Sequence, residues 1–278
     1  MPTLPSRDPA SPDPDSPRVR RLAESFGADP ERYDRARPRY PDAMVRAVVA
    51  AAPGPDVLDA GIGTGIAARL FRAAGCAVLG VDPDARMADV ARRRGDRVEV
   101  AAFEEWDPAG RSFDAVVSGQ SWRWIDPVAG AAKATEVLRP GGLLAVFWND
   151  GRPPRELADA FAEVYQRVAP DVPAARLWRA SAEEPYAAVI RRAADGMRAA
   201  GSFSEPEVWR FAWELPYTRD AWLDHLFTTG GHAGLPPATV ARLAAGVGAA
   251  VDAAGGSFTA RFTTVALTAQ RAESAARA

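Results

Sequence analysis

The sequence predicts an α/β protein built on a mostly parallel sheet, and three observations carry that prediction. Apolar runs of strand length recur near 56–60, 77–81, 97–101, 113–118 and 142–148. Stretches with helical spacing lie between them, near 65–74, 84–94 and 127–138. The first strand run, Val57-Leu58-Asp59-Ala60, ends in the glycine-dense turn Gly61-Ile62-Gly63-Thr64-Gly65 and hands over directly to a helix. Strict alternation of strand and helix implies parallel pairing with right-handed crossovers.

Each further segment follows from its residues. Residues 1–20 are rich in Pro, Asp and Ser, lack periodic apolar positions, and are expected to be disordered. Residues 21–52 form an expected N-terminal helical lid: 21–37 is partly helical around Leu22, Phe26 and Tyr33, and Pro41 opens a helix that runs to Ala52. The core spans 53–150. Residues 151–205 are rich in Arg and Ala, with helical stretches near 155–168 and 183–200, and are expected to cap the site. Residues 206–278 return to the core with a strand at 208–215, helices near 219–227 and 237–252, and a last strand at 258–269.

Composition narrows the function classes. At 278 residues the chain allows one large domain, or one domain plus a cap. A formal net charge of -2 argues against an electrostatically held nucleic acid. The single cysteine, Cys76, excludes an intrachain disulfide and a cysteine-based zinc site, and two histidines do not make a metal site, so no metal is expected. No apolar run approaches the ~20 residues of a membrane-crossing helix, and the Pro-rich start lacks a signal peptide's apolar segment. The expectation is a cytoplasmic protein, monomer or homodimer, that meets a small molecule and neither nucleic acid nor membrane. Lys133 is the only lysine, and the excess of Arg and Ala resembles the output of a high-GC bacterial genome.

The glycine turn is the first candidate site. A strand, a tight turn and a helix N-terminus leave backbone N–H groups pointing outward, a ready seat for a polar ligand. The second strand ends in Asp82, whose carboxylate is placed to accept both hydroxyls of a ribose. Together they point to a nucleoside-containing cofactor. A dinucleotide fold needs G-x-G-x-x-G, and here Ile66 stands at the third glycine position, with G-x-G-x-G in its place.

The pattern Asp59-x-Gly61-x-Gly63-x-Gly65 resembles the first motif of the class I S-adenosylmethionine (SAM) methyltransferases. The resemblance extends to Val81-Asp82-Pro83, Phe103-Glu104-Glu105-Trp106, Phe113-Asp114-Ala115-Val116-Val117, Gln120-Ser121-Trp122-Arg123-Trp124-Ile125-Asp126, Leu138-Arg139-Pro140-Gly141-Gly142 and Tyr33-Asp34-Arg35-Ala36-Arg37-Pro38. It covers about residues 24–150 well and resembles the small-molecule enzymes that methylate trans-aconitate and quinone precursors. It implies a Rossmann-like, mostly parallel seven-stranded sheet with helices on both faces and a helical cap after the fifth strand. It also implies SAM as cofactor, with S-adenosylhomocysteine as product.

The resemblance assigns roles by position. Ala60, Gly61 and Gly63 would meet the methionine part of SAM, and Asp59 its amino group. Asp82, with Pro83 beside it, would take the ribose and Met87 the adenine face, while Ala102 and Phe103 pass the adenine edge. Ser118, Gly119 and Gln120 would line the methyl-transfer side. Tyr33, with Arg37, would close over the cofactor. Two positions depart from the family: Arg123 stands where relatives often carry His or Gln, and Thr229-Gly230-Gly231-His232 replaces a bulkier or hydroxyl-bearing stretch.

Methyl transfer is an in-line displacement that needs alignment, a dry site and, for some acceptors, a base. His232 is the candidate general base, and Tyr33 the second candidate catalytic residue, as an aromatic wall for the sulfonium. Trp122, Trp124, Trp148, Trp178 and Trp222, with His232, suggest an aromatic-lined pocket for a flat, indole- or phenol-like secondary metabolite. Arg123 suggests the rival reading, a carboxyl O-methyltransferase acting on a small acid. A NAD-dependent oxidoreductase and a non-catalytic SAM-binding protein are the remaining alternatives.

Overall fold

The computed structural model describes residues 25–172, 175, 186–229, 232 and 234–273. The expected disordered start, and most of the segment 173–185, lie outside the described residues. Seven strands form one sheet: β1 Asp56–Ala60, β2 Ala77–Asp82, β3 Arg97–Val100, β4 Phe113–Gly119, β5 Leu138–Arg152, β6 Glu207–Thr218 and β7 Ser257–Gln270. Their spatial order is β3-β2-β1-β4-β5-β7-β6. The first five pair parallel, and β7 runs antiparallel between β5 and β6.

The strand order reverses between β1 and β4, so the carboxyl ends of these two strands flank a crevice where ligands of open α/β sheets bind. β1 is buried on both faces, as a central parallel strand should be. The fifth strand is much longer than its apolar run suggests. Its pairing with β7 continues past Asn149 to Arg152 opposite Arg261, because an antiparallel neighbour supplies ladder hydrogen bonds after the parallel neighbour β4 has ended.

The helices are α1 Pro30–Ala36, α2 Asp42–Ala51, α3 Ile66–Ala73, α4 Ala85–Arg93, α5 Pro127–Val137, α6 Arg155–Val168, α7 Ala187–Ala200, α8 Arg219–Phe227 and α9 Pro237–Ala253. One sheet face is covered by α2, α3 and α4 through Met44, Val48, Phe71 and Ala88. The other is covered by α5 and α7 through Ala134, Val137, Ala193 and Met197. Beyond the sheet end, α6, α8 and α9 form a separate helical layer around Phe161, Tyr165, Trp222, Leu243 and Val247.

The stretch after β5, expected as one cap, therefore divides. α7 buries a stripe of small residues, Ala193, Ala194 and Gly196, which lets it lie close on α5 and the sheet. α6 buries Leu157, Phe161, Val164 and Tyr165, whose bulk suits the looser helical layer. No helix among the described residues is long and apolar enough to cross a membrane.

The α5–α7 contact yields a prediction. A methyl group on Gly196 would run into the carbonyl of Pro127, which is backbone and cannot rotate aside. Gly196→Ala should destabilise the fold by about 1–3 kcal/mol, the cost of overpacking a filled contact. Chemical denaturation checks this: an unchanged midpoint would show that the two helices separate freely.

Candidate active site

The site is built on the turn between β1 and α3. Gly61, Gly63 and Gly65 have φ of +77°, +56° and +82°, a region that side chains with a Cβ rarely enter. The turn is pinned to the end of β2: Gly61 N–H and Ile62 N–H donate to the Val81 carbonyl, at 2.8 and 3.2 Å. Gly63 N–H donates to Asp82 Oδ2 at 2.7 Å, while Asp84 N–H donates to Asp82 Oδ1 at 2.9 Å. Asp84 in turn caps α4 by accepting from Arg86 N–H at 2.9 Å. Asp82 thus ties both loops together, and burial raises its carboxyl to about 6 against the two N–H donors that lower it.

Asp59 lies beneath the turn, 1% exposed. Neither carboxylate oxygen has a hydrogen-bond partner. Burial, then the charges of Asp96 and Asp82, push its carboxyl up to about 8. The amide oxygen of Gln120, at the tip of β4, is likewise buried and unpartnered. Gln120 itself sits at φ +66°, a strained backbone for a residue with a side chain, held by its N–H donating to the Phe147 carbonyl at 2.8 Å. Ser121 Oγ closes the gap between the two strand tips by donating to the Gly61 carbonyl at 2.7 Å.

These elements wall a cavity of about 810 Å³. Of the cofactor positions expected from the sequence, Tyr33, Arg37, Asp59, Gly61, Gly63, Asp82, Pro83, Met87, Ala102, Phe103, Gly119 and Gln120 lie in its wall. Ala60 and Ser118 do not: both residues are fully buried. Phe26, Tyr40, Thr64, Glu104 and Ser121 also line the cavity, and sequence reasoning did not single them out.

The lid is positioned by charge. Asp29 caps α1 by accepting from Arg32 N–H at 3.0 Å, and Pro30 opens the helix. Asp34, 4% exposed at its side chain, pairs with Arg69 of α3 at 2.8 Å and with Arg94 after α4 at 2.7 Å. Arg32 pairs with Asp224 of α8 at 2.8 Å. Tyr33 packs on Phe26, which packs on Trp124. The chain then passes Arg39, whose carbonyl accepts from Asn149 Nδ2 at 3.0 Å, and seats Tyr40 on Phe147.

The expected substrate pocket is only partly assembled. Arg123 and Trp124 line the cavity, with the Arg123 guanidinium 4.7 Å from the Trp124 ring centroid. Trp122 is 2% exposed and packs beneath them on Phe103, in the core. Trp148 is fully buried and stacks on Tyr186 on the α5–α7 side of the sheet. Trp222 stacks on Phe161 in the layer of α6, α8 and α9, outside the cavity wall. Trp178 lies outside the described residues.

His232, the expected imidazole base, lies apart from the wall of this cavity. It is 6% exposed, with Nε2 hydrogen-bonded to the Tyr165 hydroxyl at 2.5 Å and Nδ1 3.4 Å from Thr229 Oγ1. Burial lowers its pKa. His225 is half-buried against Tyr217 and Trp222, and desolvation, with the positive charge of Arg37, depresses it to about 3. Among the described residues, no histidine lines the cavity.

A SAM molecule fits this donor set. The unpartnered acceptors Asp59 and Gln120 suit its ammonium group, the glycine turn offers backbone, and Asp82 at the tip of β2 retains unused lone pairs for hydroxyls. Beyond Asp82, the cavity passes Met87 and Phe103, apolar walls for a planar base.

A pH dependence follows from Asp59. Its folded-state pKa lies near 8, above the ordinary 3.8, so the folded state holds a proton that the unfolded state releases. Its contribution to stability is complete below about pH 4 and falls steadily as pH rises toward 8. Asp59→Asn, which is neutral at every pH, should melt above the parent by a margin that is small at pH 5 and large at pH 9. Equal melting temperatures at both pH values would show that Asp59 is not held protonated.

The comparisons with known proteins agree with the geometry. The profile of the methyltransferase-domain family matches residues 58–146, from β1 to the middle of β5. An uncharacterized methyltransferase of Mycobacterium tuberculosis is 36% identical over 132 residues, 47% of this chain and 54% of that protein. A malonyl-[acyl-carrier protein] O-methyltransferase of Enterobacter lignolyticus is 34% identical over 134 residues, 47% of each chain. A demethylmenaquinone methyltransferase of Tropheryma whipplei is 33% identical over 119 residues, 41% of this chain and 49% of that protein. The chain thus spans about half the length of the curated relatives it matches. A solved structure from Anaeromyxobacter dehalogenans, provisionally named a type II methyltransferase, shares the fold at a TM-score of 0.61 and 24% identity, covering 85% of this chain and 99% of that one. The matched profile identifies residues 58–146 as a methyltransferase domain, and the glycine turn and strand order are those of the class I, SAM-dependent fold.

Proposed function

We propose that the protein transfers a methyl group from SAM to a small, flat acceptor seated between Trp124 and the N-terminal lid. The observation that carries this reading is the Asp82-pinned glycine turn with two buried, unpartnered acceptors, Asp59 and Gln120, at its side. When bound, SAM supplies an electrophilic methyl on a sulfonium, and the acceptor's lone or π pair forms the new bond as the C–S bond breaks and S-adenosylhomocysteine leaves. Asp59 holds the ammonium, Asp82 the ribose, and Phe26, Tyr33 and Trp124 screen the reacting end from water. Aromatic faces also favour the sulfonium charge.

The chain's contribution is alignment and dryness, which suffice for a large rate gain when donor and acceptor are held in line. With no histidine in the wall, proton removal by imidazole is not part of the scheme. The acceptor must be nucleophilic as bound. That favours an electron-rich ring carbon, a neutral amine or a carboxylate over a phenol that first has to lose its proton. The carboxylate case is the rival reading from the sequence, and the named activity of the Enterobacter lignolyticus relative supports keeping it.

Titration calorimetry tests the cofactor. S-Adenosylhomocysteine should bind in the micromolar range and NADH should not bind. Asp82→Ala should weaken the sulfur ligand by about 1.5–3 kcal/mol, the scale of hydrogen bonds to a charged group. Binding of NADH, or no loss on Asp82→Ala, would overturn the assignment of the turn.

A further inference from the structure

The cavity wall carries both charges. Its carboxylates are Asp59, Asp82, Asp84, Glu104, Glu105 and Asp126. Of its cations, Arg86 is paired with Asp84 at 2.7 Å. The other two, Arg37 and Arg123, share the wall with Tyr33, Tyr40 and Trp124. Among the described residues, no carboxylate lies within ion-pair distance of either arginine, although nearby Arg69, Arg72, Arg94 and Arg152 each have one.

Arg123 is the more constrained of the two. Its Nε is closed off from solvent and has no hydrogen-bond partner. Its guanidinium lies over the Trp124 ring, which fixes the plane of the fork. Burial is the strongest influence on it and lowers its pKa, and the like charge of Arg37 lowers it further. A desolvated guanidinium beside a second cation is costly unless an anion arrives.

Building on the methyltransferase reading, we propose that Arg123 is the specificity-determining residue of the acceptor site and grips a carboxylate on the acceptor. The charge count supports this. SAM brings one carboxylate together with an ammonium and a sulfonium, so it adds net positive charge to the cavity. Arg37, carried on the lid, is sufficient for that one carboxylate. Arg123 then still lacks an anion, and only the acceptor remains to supply it. Its planar fork matches a carboxylate bidentately, while the Trp124 face beside it seats a flat scaffold.

The test uses the full-length protein saturated with S-adenosylhomocysteine and titrated with acid–amide pairs: benzoate and benzamide, and indole-3-carboxylate and indole-3-carboxamide. The acids should bind about tenfold or more tighter than their amides. Arg123→Gln should erase that preference while changing affinity for S-adenosylhomocysteine by less than about twofold, and Arg123→Lys should keep only part of it. No acid preference in the parent, or a preference that survives Arg123→Gln, would overturn the proposal. So would a large loss of S-adenosylhomocysteine binding in Arg123→Gln, which would give the arginine to the cofactor. Failure of the parent to bind S-adenosylhomocysteine at all would instead remove the methyltransferase reading beneath it.

Discussion

The hydrogen bonds from the β1–α3 turn to the end of β2 are the constraint on which the rest of the site depends. Two backbone bonds to Val81 and one to the Asp82 carboxylate hold three successive residues of the turn. The same carboxylate fixes the start of the β2–α4 turn, so the directions of α3 and α4 are set by one side chain. Only glycine reaches the required dihedrals at Gly61 and Gly63 without strain. A Cβ at Gly61 would also strike Ser121, the residue that ties the β4 tip to the turn. The two strand tips that flank the crevice are therefore held at a separation that only a glycine permits.

Once the turn is fixed, the unusual position of Asp59 becomes intelligible. A buried carboxyl without a hydrogen bond costs free energy and is retained only where something offsets the cost. In the protonated state its charge is absent, which limits the cost in the empty fold. A cationic group brought to it would restore the charge by drawing the proton off. Asp59 is thus a preorganised acceptor whose full strength appears only with a positively charged ligand, an arrangement that binds such a ligand without a conformational search. The lid follows the same logic from the other side: Asp34, Arg32 and Glu31 tie α1 to α3, α4 and α8, so Tyr33 and Arg37 are delivered to the cavity by ion pairs remote from it.

The elements that local sequence encodes were legible. Parallel strands buried on both faces read as continuous apolar runs, and the glycine turn announces itself by spacing. Most positions expected to meet the cofactor line the cavity for the same reason, since they sit at fixed offsets from strand ends. What lay beyond reach was set by long-range packing. Tryptophan is large and amphipathic, and nothing local distinguishes Trp124 in the wall from Trp122 two residues away in the core. Nor could the loop around His232 reveal that Tyr165, sixty-seven residues distant, claims its Nε2. Ser121 and Tyr40 were missed because their roles are contacts with Gly61 and Phe147, on other strands.

The charges in the cavity wall constrain the chemistry more than any single residue does. Carboxylates such as Asp82 suit hydroxyls rather than an anion. Among the described residues, Arg37 and Arg123 have no carboxylate partner and no histidine lines the wall, so these two guanidiniums suit an anion and neither takes up a proton. A carboxylate drawn into the Arg123 fork has its lone pairs occupied by N–H donors, which lowers the nucleophilicity of its oxygens. Held bidentately, it serves better as a handle than as the atom that attacks. On the proposed reading the nucleophile is another atom of the same acceptor, carried on a scaffold along Trp124. Alignment through a fixed handle and a fixed ring plane would then supply the catalysis, since no histidine among the described residues lines the wall.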